Sequence, residues 1–169
     1  MRNNDLKEFI VIYFLVILLE PGLTLLHEIG HAIPLMLFTK GDVKIEIGNS
    51  YLSKKVQIGR FIIKFRGYNS IMDISYGRVY GELVNNRIKA MIIALSGPMV
   101  SLMLFLLSLI ILSSNTLSEY YILELILKGV KWNTFGKTII TLIPIKYNFH
   151  PYTSMKSDGY RVVELLKPS

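Results

Sequence analysis

Two long apolar runs dominate the hydropathy pattern of this chain. The first covers about residues 9–38, and the second, about residues 88–113, contains a single charged residue, Lys89. Each run is long enough to cross a bilayer as a helix, since about 20 apolar residues suffice. The pattern therefore predicts two membrane-spanning helices, the first of them interrupted or kinked at a Pro21-Gly22 step.

A secretory signal peptide is the alternative interpretation of the first run. Signal peptides have a shorter apolar region and end at a small-x-small cleavage site. This run is longer, lacks such a site and continues into polar residues. We therefore expect it to be a membrane span.

A third apolar run, about residues 119–145, differs from the first two because it carries several charges. The charged residues within it are Glu124, Lys128, Lys131 and Lys137. Each would be costly if it faced lipid at mid-depth. Two arrangements remain open. One is a single tilted span with its charges facing the protein interior, and the other is an interfacial helix followed by a shorter embedded piece.

Between the first two runs, over about residues 42–80, the pattern changes to that of β-strands. Polar and apolar residues alternate in Val43–Ile47, and β-rich stretches follow at 56–65 and 71–80, with glycines between them. We expect a small antiparallel sheet of three or four strands, inserted between spans one and two. A short carboxy-terminal helix is predicted over about residues 157–167. The predicted fold class is thus a membrane α-helical, three-span core with a β insertion.

Composition agrees with a membrane protein and excludes several other classes. The chain has 169 residues, enough for one domain, of which 51% are hydrophobic and 18% charged, yet its net charge is +7. Nucleic-acid-binding domains carry more charge and less continuous apolar sequence, so we expect no nucleic-acid partner. The high hydrophobicity excludes intrinsic disorder. Because the chain has no cysteine, any metal must be held by histidines and carboxylates.

The distribution of positive charge predicts the orientation of the spans. Ten Lys and Arg residues lie between residues 40 and 89, and four lie in the tail from Lys146, against only Arg2 and Lys7 before the first run. Short loops rich in positive charge stay in the cytoplasm. Three spans put the β insertion and the tail on one side. We therefore expect a multi-pass protein of a bacterial cell membrane, with both regions facing the cytoplasm.

A cluster of ionisable residues, His27-Glu28-Ile29-Gly30-His31, lies toward the carboxyl end of the first run. On a helix, His27 and His31 project from one face about one turn apart, as two ligands of one Zn²⁺ require. Glu28 lies beside them, where it can reach a water without occupying a coordination position. Such groups are costly in a membrane unless they are paired or metal-bound. The alternative is a polar helix face whose histidines are hydrogen-bonded across the bundle.

A catalytic zinc needs a third protein ligand and one open position. By residue type, the candidates are Asp158, His150, Glu124 and Glu20. Glu20 lies about two turns before His27, too far along the same helix to share the metal, and is better placed to cap a helix break or to pair with a lysine. Glu124 is expected at the opposite membrane face, and His150 in a surface loop. Asp158 begins the predicted carboxy-terminal helix, either as a ligand or as an ordinary helix cap.

Small residues and a proline interrupt the otherwise featureless second run at Gly97, Pro98 and Ser101. A glycine lets a neighbouring helix approach, and a proline frees a backbone carbonyl group. These residues therefore indicate helix packing, a deformed wall beside the metal site, or both.

Taken together, three signatures resemble the site-2 protease family of intramembrane zinc metalloproteases. They are H-E-I-G-H in a first span, G-P-M-V-S in a second, and L-I-P-I followed by S-D-G-Y-R after a third. The resemblance covers almost the whole chain and is to the minimal three-helix core of the family. It implies that His27, His31 and Asp158 hold one zinc ion per chain and that Glu28 is the catalytic base.

The chain departs from the family pattern at positions linked to substrate binding. The family usually has Asn where Ser101 and Thr141 stand, a shorter stretch between Pro144 and Asp158, and a second Gly where Tyr160 stands. The ligand set itself is complete. The resemblance implies substrate-positioning roles for four residues, and the departures bear on these roles more than on metal binding: Gly97, Pro98, Ser101 and Thr141.

The activity that the resemblance implies is intramembrane zinc metalloendopeptidase activity. Its substrate would be a membrane protein or membrane-anchored peptide, cut in or near a transmembrane segment, and its other partner is the lipid bilayer. One alternative is a non-proteolytic membrane protein of the same fold that binds a partner and holds a structural or vestigial zinc; the departures favour it, whereas the intact Glu28 disfavours it. Another is a metal-transport or proton-relay bundle, whose ligands should line a path across the bilayer.

Overall fold

The computed structural model describes residues 3–114 and 120–167, with side chains described from residue 8. The predicted start of the third run, residue 119, lies outside the described residues. The helices are α1 Asn3–Phe38, α2 Arg87–Ser113, α3 Tyr121–Leu142 and α4 Asp158–Leu166. The strands, all between α1 and α2, are β1 Val43–Ile47, β2 Ser53–Ile58, β3 Phe61–Arg66 and β4 Gly77–Tyr80.

Two of these helices, α1 and α2, are long and apolar enough to cross a membrane by length and composition. They confirm the two helices predicted from the first and second runs. α1 continues through Pro21 and Pro34, so the Pro21-Gly22 step does not end the helix. A membrane-type helix tolerates proline where neighbouring helices hold the chain on both sides, and α1 packs against both α2 and α3.

The third run forms one continuous helix, α3, and two of its lysines pair with glutamates of α1. Lys128 Nζ lies 2.7 Å from Glu8 Oε1, and Lys137 Nζ lies 2.7 Å from Glu20 Oε1. The outward side carries large apolar residues, among them Trp132, which is exposed by 60% and contacted by Lys131. Among the described helices, only α1 and α2 meet the length and composition of a span, because α3 carries more charge.

The four strands form one mixed sheet in the order β2-β3-β1-β4. β1 is parallel to β3 and antiparallel to β4, and β2 and β3 form an antiparallel hairpin. The prediction of an antiparallel sheet was therefore wrong for the pairing of β1 with β3. β3 carries the apolar residues Phe61, Ile62 and Ile63 and takes the inner position, whereas the lysine-rich β2 is fully exposed at the edge.

The predicted β-rich stretch at 71–80 is only partly a strand. Ile71–Ser75 forms a 3-10 turn, and β4 begins at Gly77. Asp73 Oδ2 accepts hydrogen bonds from the backbone N–H groups of Asn69 and Ser70, at 2.9 and 3.1 Å. Such local side-chain bonds compete with strand pairing, which is why the sheet resumes only after the turn.

The sheet packs on the carboxyl half of α1 and forms the main apolar core there. Val43, Ile45 and Ile47 of β1 are completely buried, and they cluster with Ala32 and Leu35 of α1. The period-two alternation of β1 puts these three side chains on one face. This packing fixes the part of α1 that carries the histidine motif.

Candidate metal centre and its cavity

Side chains from two distant helices converge at the carboxyl half of α1. His27 Nε2 and His31 Nε2 lie 3.2 Å apart, and each lies 3.4 Å from Asp158 Oδ2, at the start of α4. All three residues are buried. Within the described parts of the chain, no other group of three His, Asp or Glu residues comes close enough to hold a metal ion.

The spacing of these three atoms fits a tetrahedral metal ion. Donors about 2.0–2.1 Å from a tetrahedral centre lie roughly 3.3 Å from one another. The three separations here are 3.2, 3.4 and 3.4 Å. Two imidazole nitrogens and one carboxylate oxygen form a common catalytic zinc set, which leaves the fourth position open. A zinc ion therefore fits the residues present.

Hydrogen bonds at the opposite ring nitrogens hold both histidines in the form a metal needs. His31 Nδ1 lies 2.6 Å from the carbonyl oxygen of Ile93, which can only accept, so Nδ1 carries the proton. His27 Nδ1 lies 2.9 Å from Ser101 Oγ, which can accept a proton in the same way. A neutral ring protonated at Nδ1 has a lone pair at Nε2. With both rings protonated at Nδ1, the two lone pairs point to the space shared with Asp158.

The carboxyl group of Asp158 is ionised at this position. Burial alone raises the pKa of Asp158, but when the imidazoles carry a proton toward it, the charge of His31 and hydrogen bonds from His27 and His31 outweigh burial, so the pKa lies below its ordinary value. A carboxylate and two nitrogen lone pairs at this spacing repel one another unless a cation, either a metal ion or a proton, lies between them. The cluster could therefore hold a cation.

Glycines bring the helix backbones close enough for this arrangement. A Cβ atom added at Gly97 would lie 2.2 Å from His31 Nε2, so the imidazole ring packs directly on the α2 backbone. A Cβ at Gly159 would lie 1.8 Å from the carbonyl oxygen of Leu142, so α4 starts against the end of α3. These two close approaches place His31 and Asp158 at the same point.

The three donors open into a cavity of about 700 Å³ that is bordered by α1, α3, β4 and the start of α4. Glu28 lies in the same wall and is 9% exposed. It packs against the first residue of β4, since a Cβ at Gly77 would lie 2.6 Å from Glu28 Oε1. Glu28 is therefore beside the three donors without being one of them.

The four predicted substrate-positioning residues lie in two different places. Thr141 lines the cavity, and its Oγ1 donates to the backbone carbonyl of Lys137 at 2.9 Å. Gly97, Pro98 and Ser101 are instead buried on the side of α2 that faces α1. Ser101, 1% exposed, contacts Nδ1 of His27, so its position suits orienting that ring.

The other candidate ligands lie away from the histidines. Glu20 pairs with Lys137, which confirms the expectation that it pairs with a lysine. Glu124 pairs with a lysine one turn further along α3. His150 is exposed. Of the four candidates, the fold therefore brings only Asp158 to the two histidines.

Sequence reasoning missed a polar network in the cavity wall, here called the Lys137 network. It consists of Glu20 and Thr24 on α1 and of Asn133 and Lys137 on α3, all of which line the cavity. The signal was present in the spacing, because Glu20, Thr24 and Glu28 follow at intervals of four residues and share one helix face. The partner on α3 was not visible from local sequence.

A second missed feature is the segment 146–156, which closes one side of the cavity. A bridge between Lys146 and Lys156 joins its ends. The rings of Tyr147, Phe149 and Tyr152 pack on one another, with centroids 5.4 to 5.7 Å apart, and all three line the cavity. Tyr152 OH lies 3.1 Å from Ser75 Oγ in the 3-10 turn. The stretch that was too long for the family pattern thus forms an aromatic wall.

Comparisons with protein-family models, with curated proteins and with solved structures found no match to this chain. The function therefore has to be argued from the site itself.

Proposed function

We propose that this protein is an intramembrane zinc metalloendopeptidase, similar in its chemistry to the site-2 proteases. The observation that carries the proposal is the donor set of His27, His31 and Asp158, at 3.2–3.4 Å, with a separate carboxylate, Glu28, in the same cavity wall. A purely structural zinc site does not require the separate carboxylate of Glu28. The three donors would hold the ion, and Glu28 is left free to move a proton.

Glu28 is the general base and then the general acid in the proposed reaction. When bound, zinc supplies Lewis acidity, which makes a peptide carbonyl more electrophilic and a water more acidic. Glu28 takes one proton as the water oxygen bonds to the carbonyl carbon, and gives it to the amine nitrogen as the C–N bond breaks. The carboxylate therefore ends the cycle as it began. Its place beside the donors, within one cavity, suits both transfers.

The edge strand β4 supports binding of an extended peptide. The strand order leaves β4 at one edge of the sheet, with no partner on its outer side among the described residues. Gly77, Arg78 and Val79 of this strand line the cavity. A substrate segment that unwinds can add to this edge and replace the backbone hydrogen bonds of its lost helix. Because Gly77 contacts Glu28, the added strand would pass the proposed base.

The proposed membrane setting has three spans, α1, α2 and α3. Lys128 and Lys137 of α3 pair with glutamates of α1, which lowers the cost of their charge in lipid. The outward faces of the three helices are apolar, with large residues such as Leu18, Met103 and Trp132 exposed. The positive charge of the β insertion and tail puts the cavity on the cytoplasmic side of a multi-pass bacterial protein.

The test compares the wild type with Glu28→Gln in detergent. Zinc per chain is measured by metal analysis, and cleavage is measured on a library of transmembrane peptides. We expect about one zinc in both proteins, with cleavage lowered roughly 100-fold or more in Glu28→Gln. Asp158→Ala should lose the metal, whereas the matched control His150→Ala should keep it.

Two results would contradict the proposal. Wild-type protein that holds zinc but cuts no peptide would favour the non-proteolytic alternative. Equal cleavage by the wild type and Glu28→Gln would remove Glu28 from the chemistry.

A further inference from the structure

The Lys137 network lies beside the metal centre, in the wall of the same cavity. Thr24 is one turn before Glu28 on α1, and Glu20 is one turn before Thr24, so the three form one row. Lys137 reaches this row from α3, with its Nζ 2.7 Å from Thr24 Oγ1. A substrate that extends past Glu28 toward the amino end of α1 would therefore meet Lys137.

Both carboxylate oxygens of Glu20 accept hydrogen bonds, whereas Lys137 donates only two of its three N–H groups to the described residues. Glu20 Oε1 accepts from Thr24 Oγ1 at 3.1 Å and from Lys137 Nζ at 2.7 Å, and Glu20 Oε2 accepts from Asn133 Nδ2. Lys137 donates to Glu20 and Thr24. An ammonium group has three N–H donors. No acceptor for the third is found among the described residues, so Lys137 has one donor left for a ligand.

A second ion pair between the same helices shows that joining them does not require a cavity position. Glu8 and Lys128 also link α1 to α3, with the same N to O distance of 2.7 Å. Their side chains are 34% and 32% exposed, against 12% and 13% for Glu20 and Lys137. Burying an ion pair costs free energy that an exposed pair avoids. Clamping the helices therefore does not by itself account for a buried pair at the cavity wall.

The distance from Glu28 identifies the part of the substrate that Lys137 can reach. Lys137 Nζ donates a hydrogen bond to Thr24 Oγ1. Thr24 lies about 6 Å along the helix from Glu28. An extended peptide advances about 3.3 Å per residue. For a peptide that runs alongside α1 toward its amino end, a substrate residue about two positions from the scissile bond is level with Lys137. Since β4 takes the substrate main chain in the proposed binding mode, Lys137 is left for a side chain.

We propose that Lys137 forms a substrate subsite for a carboxamide side chain, Asn or Gln, about two residues from the scissile bond. The free N–H of Lys137 donates to the carboxamide oxygen. A carboxylate side chain would be repelled by the neighbouring Glu20, so a neutral acceptor fits better. This subsite rests on the proposed peptidase function and specifies which substrates that site takes.

The test measures peptide binding in the Glu28→Gln background, so that the peptide is not consumed. The scissile bond is first mapped with wild-type protein. Peptide pairs then carry either Gln or its apolar near-isostere Met at each of three positions on both sides of that bond. When the substituted position is about two residues from the scissile bond, we expect the Gln peptide to bind about tenfold more tightly than the Met peptide. This difference is typical of a hydrogen bond from a charged donor.

Three variants separate a subsite from a helix clamp. Lys137→Met should abolish the Gln preference, and the double variant Glu20→Gln/Lys137→Met should do the same without leaving a buried unpaired carboxylate. Lys128→Met removes the matched exposed ion pair and should keep the preference. Zinc per chain, measured for every variant, reports whether each one has folded.

The outcomes distinguish the subsite from the peptidase. A Gln preference that survives in the folded double variant would overturn the subsite, as would its equal loss in Lys128→Met. Cleavage by the wild type with no Gln preference at any position would also overturn the subsite, while leaving the peptidase intact. Absence of any cleavage by the wild type contradicts the peptidase instead.

Discussion

The two halves of α1 come from one continuous apolar run, yet they lie in different surroundings. In the amino half, Phe14 and Leu18 are 65% and 75% exposed. In the carboxyl half, His27, His31 and Ala32 are 5%, 6% and 0% exposed, enclosed by α2, the sheet and α4. The carboxyl half thus has an enclosed face that carries the two histidines, whereas the amino half exposes large apolar side chains. Hydropathy predicts the helix, but only packing divides it into a surface and a site.

The largest expected difference between the halves comes from removing one side chain from each. His31→Ala takes away one of three donors and should reduce zinc from about one per chain to almost none, together with peptide cleavage. Leu18→Ala in the amino half removes an outward side chain and should leave both unchanged. Metal analysis of the two purified variants checks this. Zinc retained in His31→Ala would remove this residue from the site.

A smaller difference is expected from adding a methyl group at a glycine. Gly97→Ala puts a Cβ 2.2 Å from His31 Nε2, so the ring must move and zinc affinity should fall roughly 10- to 100-fold. Gly22→Ala, in α1 beyond the enclosed part, meets no atom within 4 Å and should leave zinc affinity unchanged. Competition with a chelator of known affinity measures both. Equal affinities would show that the α1 and α2 backbones separate easily at this contact.

The smallest effect is expected for a residue that orients a ligand without touching the metal. Ser101→Ala removes the contact with His27 Nδ1 and should weaken zinc binding about tenfold. Ser108→Ala, two turns further along α2, is the matched control, because Ser108 is also buried but bonds only to its own helix, at Leu104. The same chelator assay compares them. A similar loss in both variants would assign the effect to helix packing.

Local sequence was sufficient for the features that depend on spacing along one element. The four-residue interval of His27 and His31 puts both rings on one face of any α-helix, and the structure places them there. The apolar runs predict α1 and α2 for the same reason. Pairing with a lysine was one of the two roles expected for Glu20, because a glutamate in an apolar segment needs a partner.

Features that depend on contacts between distant elements could not be read from local pattern. Residue type left four candidates for the third donor, and the contact of Gly159 with Leu142, which selects Asp158, joins two helices across an intervening loop. β1 pairs in parallel with β3, the more apolar strand of the hairpin. The alternation within β1 does not show which of the two hairpin strands it will pair with. The contact of Ser101 with His27 likewise requires the crossing of α1 and α2.

The donor set joins the first helix of the described chain to the last. A ribosome making this protein completes α1, with both histidines and Glu28, long before it adds Asp158. Until α4 docks against α3 through Gly159, the histidines lack their third donor. The proposed hydrolytic centre therefore cannot be complete before α4 is made, and a chain that ends short of α4 should have no hydrolytic activity.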